Sequence, residues 1–111
     1  MTKRQKLSDE AVGAFLDGHP GWERATNPDG TGALARTFSF PSYPEAIAFV
    51  VGVGFAAEAR DHHPDLHVGW RRVRVVWWTH DAAGKDGGSE SPGGITAVDL
   101  EMADRTDALA R

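Results

Sequence analysis

The sequence predicts an α+β domain: a four-stranded antiparallel sheet with three helices packed on one face, in the order α-β-β-α-β-β-α. Three observations lead there. Residues 34–40 and 72–80 alternate apolar and polar side chains with the period of a half-buried strand. Each lies beside a shorter strand-like segment across a turn. Three other segments carry apolar residues at helical spacing behind capping residues.

Taken in order, residues 7–16 form the first helix. Ser8 is its N-cap, Asp9 and Glu10 suit the positive end, and Val12, Phe15 and Leu16 make the apolar stripe. Gly18 and Pro20 stop it. Residues 22–25 read as a short strand, Asn27-Pro28-Asp29-Gly30 as a turn, and residues 34–40 as the returning strand of a hairpin. Pro41-Ser42-Tyr43-Pro44 breaks that strand and opens the second helix, with Ser42 or Tyr43 near its cap.

From residue 45 to about residue 60, Ala46, Phe49, Val50, Val53 and Ala57 share a broad buried face. Gly52 and Gly54 each weaken this helix by about 1 kcal/mol relative to alanine. Pro64 turns His63 away from helical geometry, so the helix ends near His62. Residues 66–70 and 72–80 make the second strand pair. In the longer one Val73, Val75, Trp77 and Thr79 share one face, and Arg74, Val76, Trp78 and His80 the other. Glycine-rich residues 84–94 read as a flexible loop. The last helix follows Thr96, which forms a capping-box pattern with Asp99. Val98, Met102, Thr106 and Leu109 then recur along it.

Composition narrows the function. A chain of 111 residues makes one domain, and its 41% hydrophobic and 25% charged residues are ordinary for a globule. A net charge of -4 argues against nucleic acid or an anionic membrane as the main partner. With no cysteine, thiolate catalysis, disulfides and cysteine-held metals are excluded. The basic start, Met1-Thr2-Lys3-Arg4-Gln5-Lys6, is not followed by a signal-peptide core, and no segment reaches membrane-span length. A soluble cytoplasmic protein is the expectation.

Three of the five histidines fall in one constellation, Glu58-x-x-Asp61-His62-His63-Pro64 with Thr79-His80 further on. Imidazole both gives and takes protons near neutrality, so such a group points to acid–base or metal chemistry. On a continuous helix Glu58 and His62 would share a face, and Glu58 would then fix one imidazole tautomer. Trp22 or Trp70 would line the pocket. A zinc site on His62, His63 and His80 is the metal alternative, but no fourth ligand is evident. His19 and His67 read as surface residues. Trp78 beside Val76 suggests a subunit contact.

The ordered set Glu58-x3-His62-His63-Pro64-x5-Trp70-x9-His80 resembles the signature of the pterin-4a-carbinolamine dehydratases. The likeness extends to Pro20-Gly21-Trp22, to Leu34-x-Arg36-x-Phe38-x-Phe40, to Tyr43-x-Glu45-Ala46-x-x-Phe49-Val50 and to Gly93-Gly94-Ile95-Thr96-x-x-Asp99. It implies elimination of water from a 4a-hydroxytetrahydropterin to give the quinonoid dihydropterin, with pterin as substrate and no cofactor or metal. It implies that His62, His63 and His80 are catalytic and that Glu58, Asp61, Trp22 and Asp99 bind or orient the substrate. It does not apportion acid and base. The expectation is His62 on the 4a oxygen, His80 sharing proton transfer and His63 holding the pterin. The resemblance also implies a homodimer or homotetramer; a non-catalytic interaction or assembly module on the same fold is the alternative. Eighteen residues separate His80 from Asp99, longer than the family's usual link. Extra loop length costs only about 0.6 kcal/mol per doubling, so the fold should survive it. The surplus would lie at the pocket edge, where it could act as a lid.

Overall fold

A computed structural model describes residues 4–83 and 93–111. Its elements are β1 (Arg4–Gln5), α1 (Asp9–Gly18), β2 (Glu23–Thr26), β3 (Gly32–Ser39), α2 (Tyr43–Arg60), β4 (Asp65–Val68), β5 (Arg72–Trp77), β6 (Ala82–Ala83) and α3 (Ala97–Ala110). The main sheet is four-stranded and antiparallel, as predicted, and its strands lie in the order β2-β3-β5-β4. Leu34 pairs with Trp77 and Phe38 with Val73, so the two longest strands hold the centre. β4 is one edge, with Asp65 opposite Val76.

Side-chain alternation explains why all three helices take one face. Leu34, Phe38, Val73, Val75 and Trp77 project to one side and meet Val12 of α1, Phe49 and Val53 of α2, and Val98 and Met102 of α3. Each such side chain contributes about 1.5–3 kcal/mol when fully buried. Trp77 is completely enclosed, and its indole N–H donates to the Thr106 hydroxyl at 2.9 Å, so the ring keeps no unpaired donor. The opposite face carries Ala33, Ala35 and Val76 with Trp78 packed on them.

Capping sets the helix limits. Ser8 accepts from the Ala11 amide, so α1 starts at Asp9, and Leu7 is freed to donate its amide to Ile95. Ser42 accepts from the Glu45 amide and Pro44 sits in the first turn of α2. The turn between β2 and β3 is held by Asp29, which accepts from both the amide and the hydroxyl of Thr31. These bonds hold the Asp29 carboxyl below its ordinary range.

β1 pairs in parallel with β6, Arg4 opposite Ala82, and Lys6 bridges to Thr96. The start of the chain is thereby stitched between the exit from β5 and the beginning of α3. Of the loop expected over residues 84–94, residues 84–92 lie outside the described residues. Gly94 pairs with Thr79 in an antiparallel bridge. Among the described residues, no helix is long and apolar enough to cross a membrane.

Candidate active site

The site is built where α2 ends. Asp61 caps the helix in the left-handed region, with φ 53° and ψ 46°. Few residues adopt this region, and aspartate is among those that do so most readily. The reversal lets the His62 amide return to the Ala57 carbonyl at 3.1 Å. His62 is thus tucked under the helix, while His63 and Pro64 lead outward into β4.

His62 is 6% exposed and stacks parallel to Trp77, with ring centroids 5.7 Å apart. Its Nε2 lies 2.6 Å from Oδ1 of Asp99, which is wholly buried. The other oxygen of Asp99 accepts from the Thr79 hydroxyl at 2.8 Å and the Thr96 amide at 2.9 Å. The Thr96 hydroxyl backs Thr79 at 2.8 Å. A buried carboxylate stays in place when its lone pairs are filled in this way. On the far side of the ring, Nη1 of Arg4 lies 3.2 Å from His62 Nδ1. A guanidinium can only donate, so Nδ1 presents its lone pair and Nε2 carries the proton given to Asp99.

The remaining expected residues enter other contacts. His63, exposed, bonds through Nε2 to Oε1 of Glu58 at 2.9 Å. Glu58 therefore holds His63 rather than His62, because the left-handed turn at Asp61 interrupts the helical register. Asp61 itself is exposed at the cap. His80 is exposed and stacks on Trp78 at 3.8 Å, and the Trp78 indole donates to Asp65. Its neighbour Thr79 reaches Asp99, so backbone continuity links His80 to the buried group. Trp22 is in the core: its indole donates to Asp107, which also accepts from Arg36, and its ring meets the edge of Phe38. Trp70 is exposed under the Arg71 guanidinium.

Arg4, Thr79, Thr96 and Trp77 complete the surroundings of His62 without having been marked as site residues by the sequence pattern. Thr96 reads as a helix cap, Trp77 as core, and Arg4 lies 58 positions from His62. Beside the group, Arg60 binds Glu101 through Nε at 2.7 Å and Nη2 at 3.3 Å, tying the end of α2 to α3. That pair lowers the Glu101 pKa and raises that of Arg60. Among the described residues, no three histidine, aspartate or glutamate side chains are gathered to hold a metal ion.

Comparison with known proteins identifies the family. Residues 5–109 match the family described as "Pterin 4 alpha carbinolamine dehydratase". A protein of Roseiflexus sp. (strain RS-1), named "Putative pterin-4-alpha-carbinolamine dehydratase", is 39% identical, covering 94% of this chain and 96% of its own. One of the same name from Mycobacterium sp. (strain KMS) is 42% identical, covering 93% and 94%. The crystal structure of a "transcriptional coactivator/pterin dehydratase" from Brucella melitensis superposes with a TM-score of 0.76 at 28% identity, over 96% of this chain and all of that one. By extent and identity of match, the chain belongs to the pterin-4a-carbinolamine dehydratase family.

Proposed function

We propose that this protein is a hydro-lyase removing water from a 4a-hydroxytetrahydropterin, with histidines as the proton carriers. The observation that carries this reading is the buried His62–Asp99 pair, at 2.6 Å in a chain of this family. Asp99 holds the ring by Nε2 and leaves the lone pair on Nδ1, the arrangement by which a carboxylate prepares an imidazole as a base.

The hydrogen-bond pattern supports His62 as the base for the N5 proton, in preference to the 4a oxygen. The N5–H bonding pair becomes the C4a=N5 double bond, and the C4a–O pair departs with the oxygen. The acid that gives that oxygen the proton making it water is assigned to His80 by the family resemblance, and exchange with solvent resets both rings. Such proton transfers contribute about 10²–10⁴-fold each. His63, braced by Glu58, holds the pterin with Asp61 beside it. Asp99 acts from behind His62, because both its oxygens are engaged. Trp22, bonded to Asp107 inside the core, is left out of the contact set.

The expected oligomer belongs to the same reading: Val51 and the 75% exposed Phe55 lie on α2, and β4 is a free edge among the described strands. The test is turnover of a carbinolamine generated in place by a pterin-dependent hydroxylase. His62→Ala should lose about 10²–10⁴-fold in kcat. A variant as fast as the parent would remove the mechanism.

A further inference from the structure

The geometry points to Arg4 as a catalytic residue that receives the departing oxygen. This deepens the reading above and rests on it. N5 and the 4a oxygen are bonded to the same carbon, so a base for one and a donor to the other must stand side by side. Nδ1 of His62 and Nη1 of Arg4 stand 3.2 Å apart, in direct hydrogen-bond contact. When the N5–H group takes the lone pair of Nδ1, the displaced guanidinium is left beside the atom that is geminal to N5.

The chemistry of the guanidinium suits that place. It stays protonated, so it supplies no proton; it offers several N–H donors and a positive charge. As the C4a–O bond breaks, its electron pair goes to oxygen and negative charge grows there until the acid, His80, delivers the proton. A fixed cationic donor aimed at developing charge lowers that barrier. The N5 proton meanwhile passes to Nδ1, and Asp99 steadies the imidazolium so formed.

Arg4 is anchored well enough to serve. Its backbone pairs with Ala82, Lys6 bridges Thr96, and the Leu7 amide bonds the Ile95 carbonyl at 2.9 Å. The segment is thus tied on one side to β6, just beyond Thr79, and on the other to the residues that lead into the helix carrying Asp99.

The experiment compares the parent with Arg4→Ala and Arg4→Gln in the same turnover assay. Melting curves check folding. Arg4→Ala should lose about 10²-fold in kcat with KM changed much less, and added guanidinium ion should restore part of the rate. Arg4→Gln keeps an N–H for Nδ1 but loses the charge, and should lose at least about tenfold in kcat. A residue that merely positions His62 would be replaced by glutamine without loss. Parental kcat in Arg4→Gln therefore overturns the proposal, as does a faster Arg4→Ala or a loss confined to KM. If alanine prevents folding, the glutamine variant decides alone. A parent protein that turns over no carbinolamine fails the dehydratase reading itself, and is told apart by that control.

Discussion

Two histidine–aspartate pairs hang from the same helix, five residues apart on α3, and they are built for different ends. At one, His62 meets Asp99 at 2.6 Å with both side chains shut away from solvent. At the other, His19 meets Asp104 at 3.0 Å with the carboxylate largely exposed. Each ring also stacks on an aromatic neighbour, Trp77 for His62 and Phe15 for His19. The second nitrogen separates them. Nδ1 of His19 faces the Phe15 carbonyl at 2.7 Å, which accepts, whereas Nδ1 of His62 faces the Arg4 guanidinium, which donates. The His19 ring thus faces an acceptor at both edges and joins α1 to α3. The His62 ring gives at one edge and offers a lone pair at the other. Distance to a carboxylate alone does not mark a site; the partner on the far nitrogen and the depth of burial do.

Substitutions at the two aspartates test this contrast. The largest effect is expected at Asp99. Asp99→Ala leaves donors from His62, Thr79 and Thr96 unanswered in the interior and should cost about 3 kcal/mol or more in a denaturant melt. Asp99→Asn keeps the shape but no longer fixes the tautomer, and should lower kcat by about 10²–10⁴-fold. At the exposed pair, Asp104→Ala should cost less than about 1 kcal/mol and leave kcat unaltered. Equal losses from Asp99→Ala and Asp104→Ala would dissolve the distinction.

The smallest effect belongs to the neighbouring clamp. The Glu101 carboxyl is held below its ordinary range by Arg60, so its contribution is complete above the unfolded value, about pH 4.3. It fades as pH falls through the lower folded value. Glu101→Gln should lower the neutral plateau by that contribution and flatten the acid limb, so that the two profiles converge at low pH. A Glu101→Gln plateau at neutral pH equal to the parent's would show the clamp idle.

Much of the fold was legible because it is written in period and punctuation. Val73, Val75 and Trp77 gave the buried face of β5, and Ser8, Ser42 and Thr96 gave the three helix starts. The two-residue strands β1 and β6 were not, since two residues carry no alternation to read. At the site, the histidine pair and Asp99 were visible as a pattern, but their pairing was not. Helical spacing assigns Glu58 to His62, and only the left-handed backbone at Asp61 reassigns it to His63. Arg4 was hidden for a different reason: a contact between residues 58 positions apart leaves no local trace.

The turn at Asp61 makes the stretch from Ala57 to Pro64 a measured length of chain. Because the His62 amide returns to the Ala57 carbonyl, gaining or losing one residue between them would bring the wrong imidazole to Asp99. Composition would be untouched and the helix and sheet could still form, yet the catalytic lone pair would point elsewhere. Insertions scanned through this stretch should therefore abolish turnover long before they abolish folding.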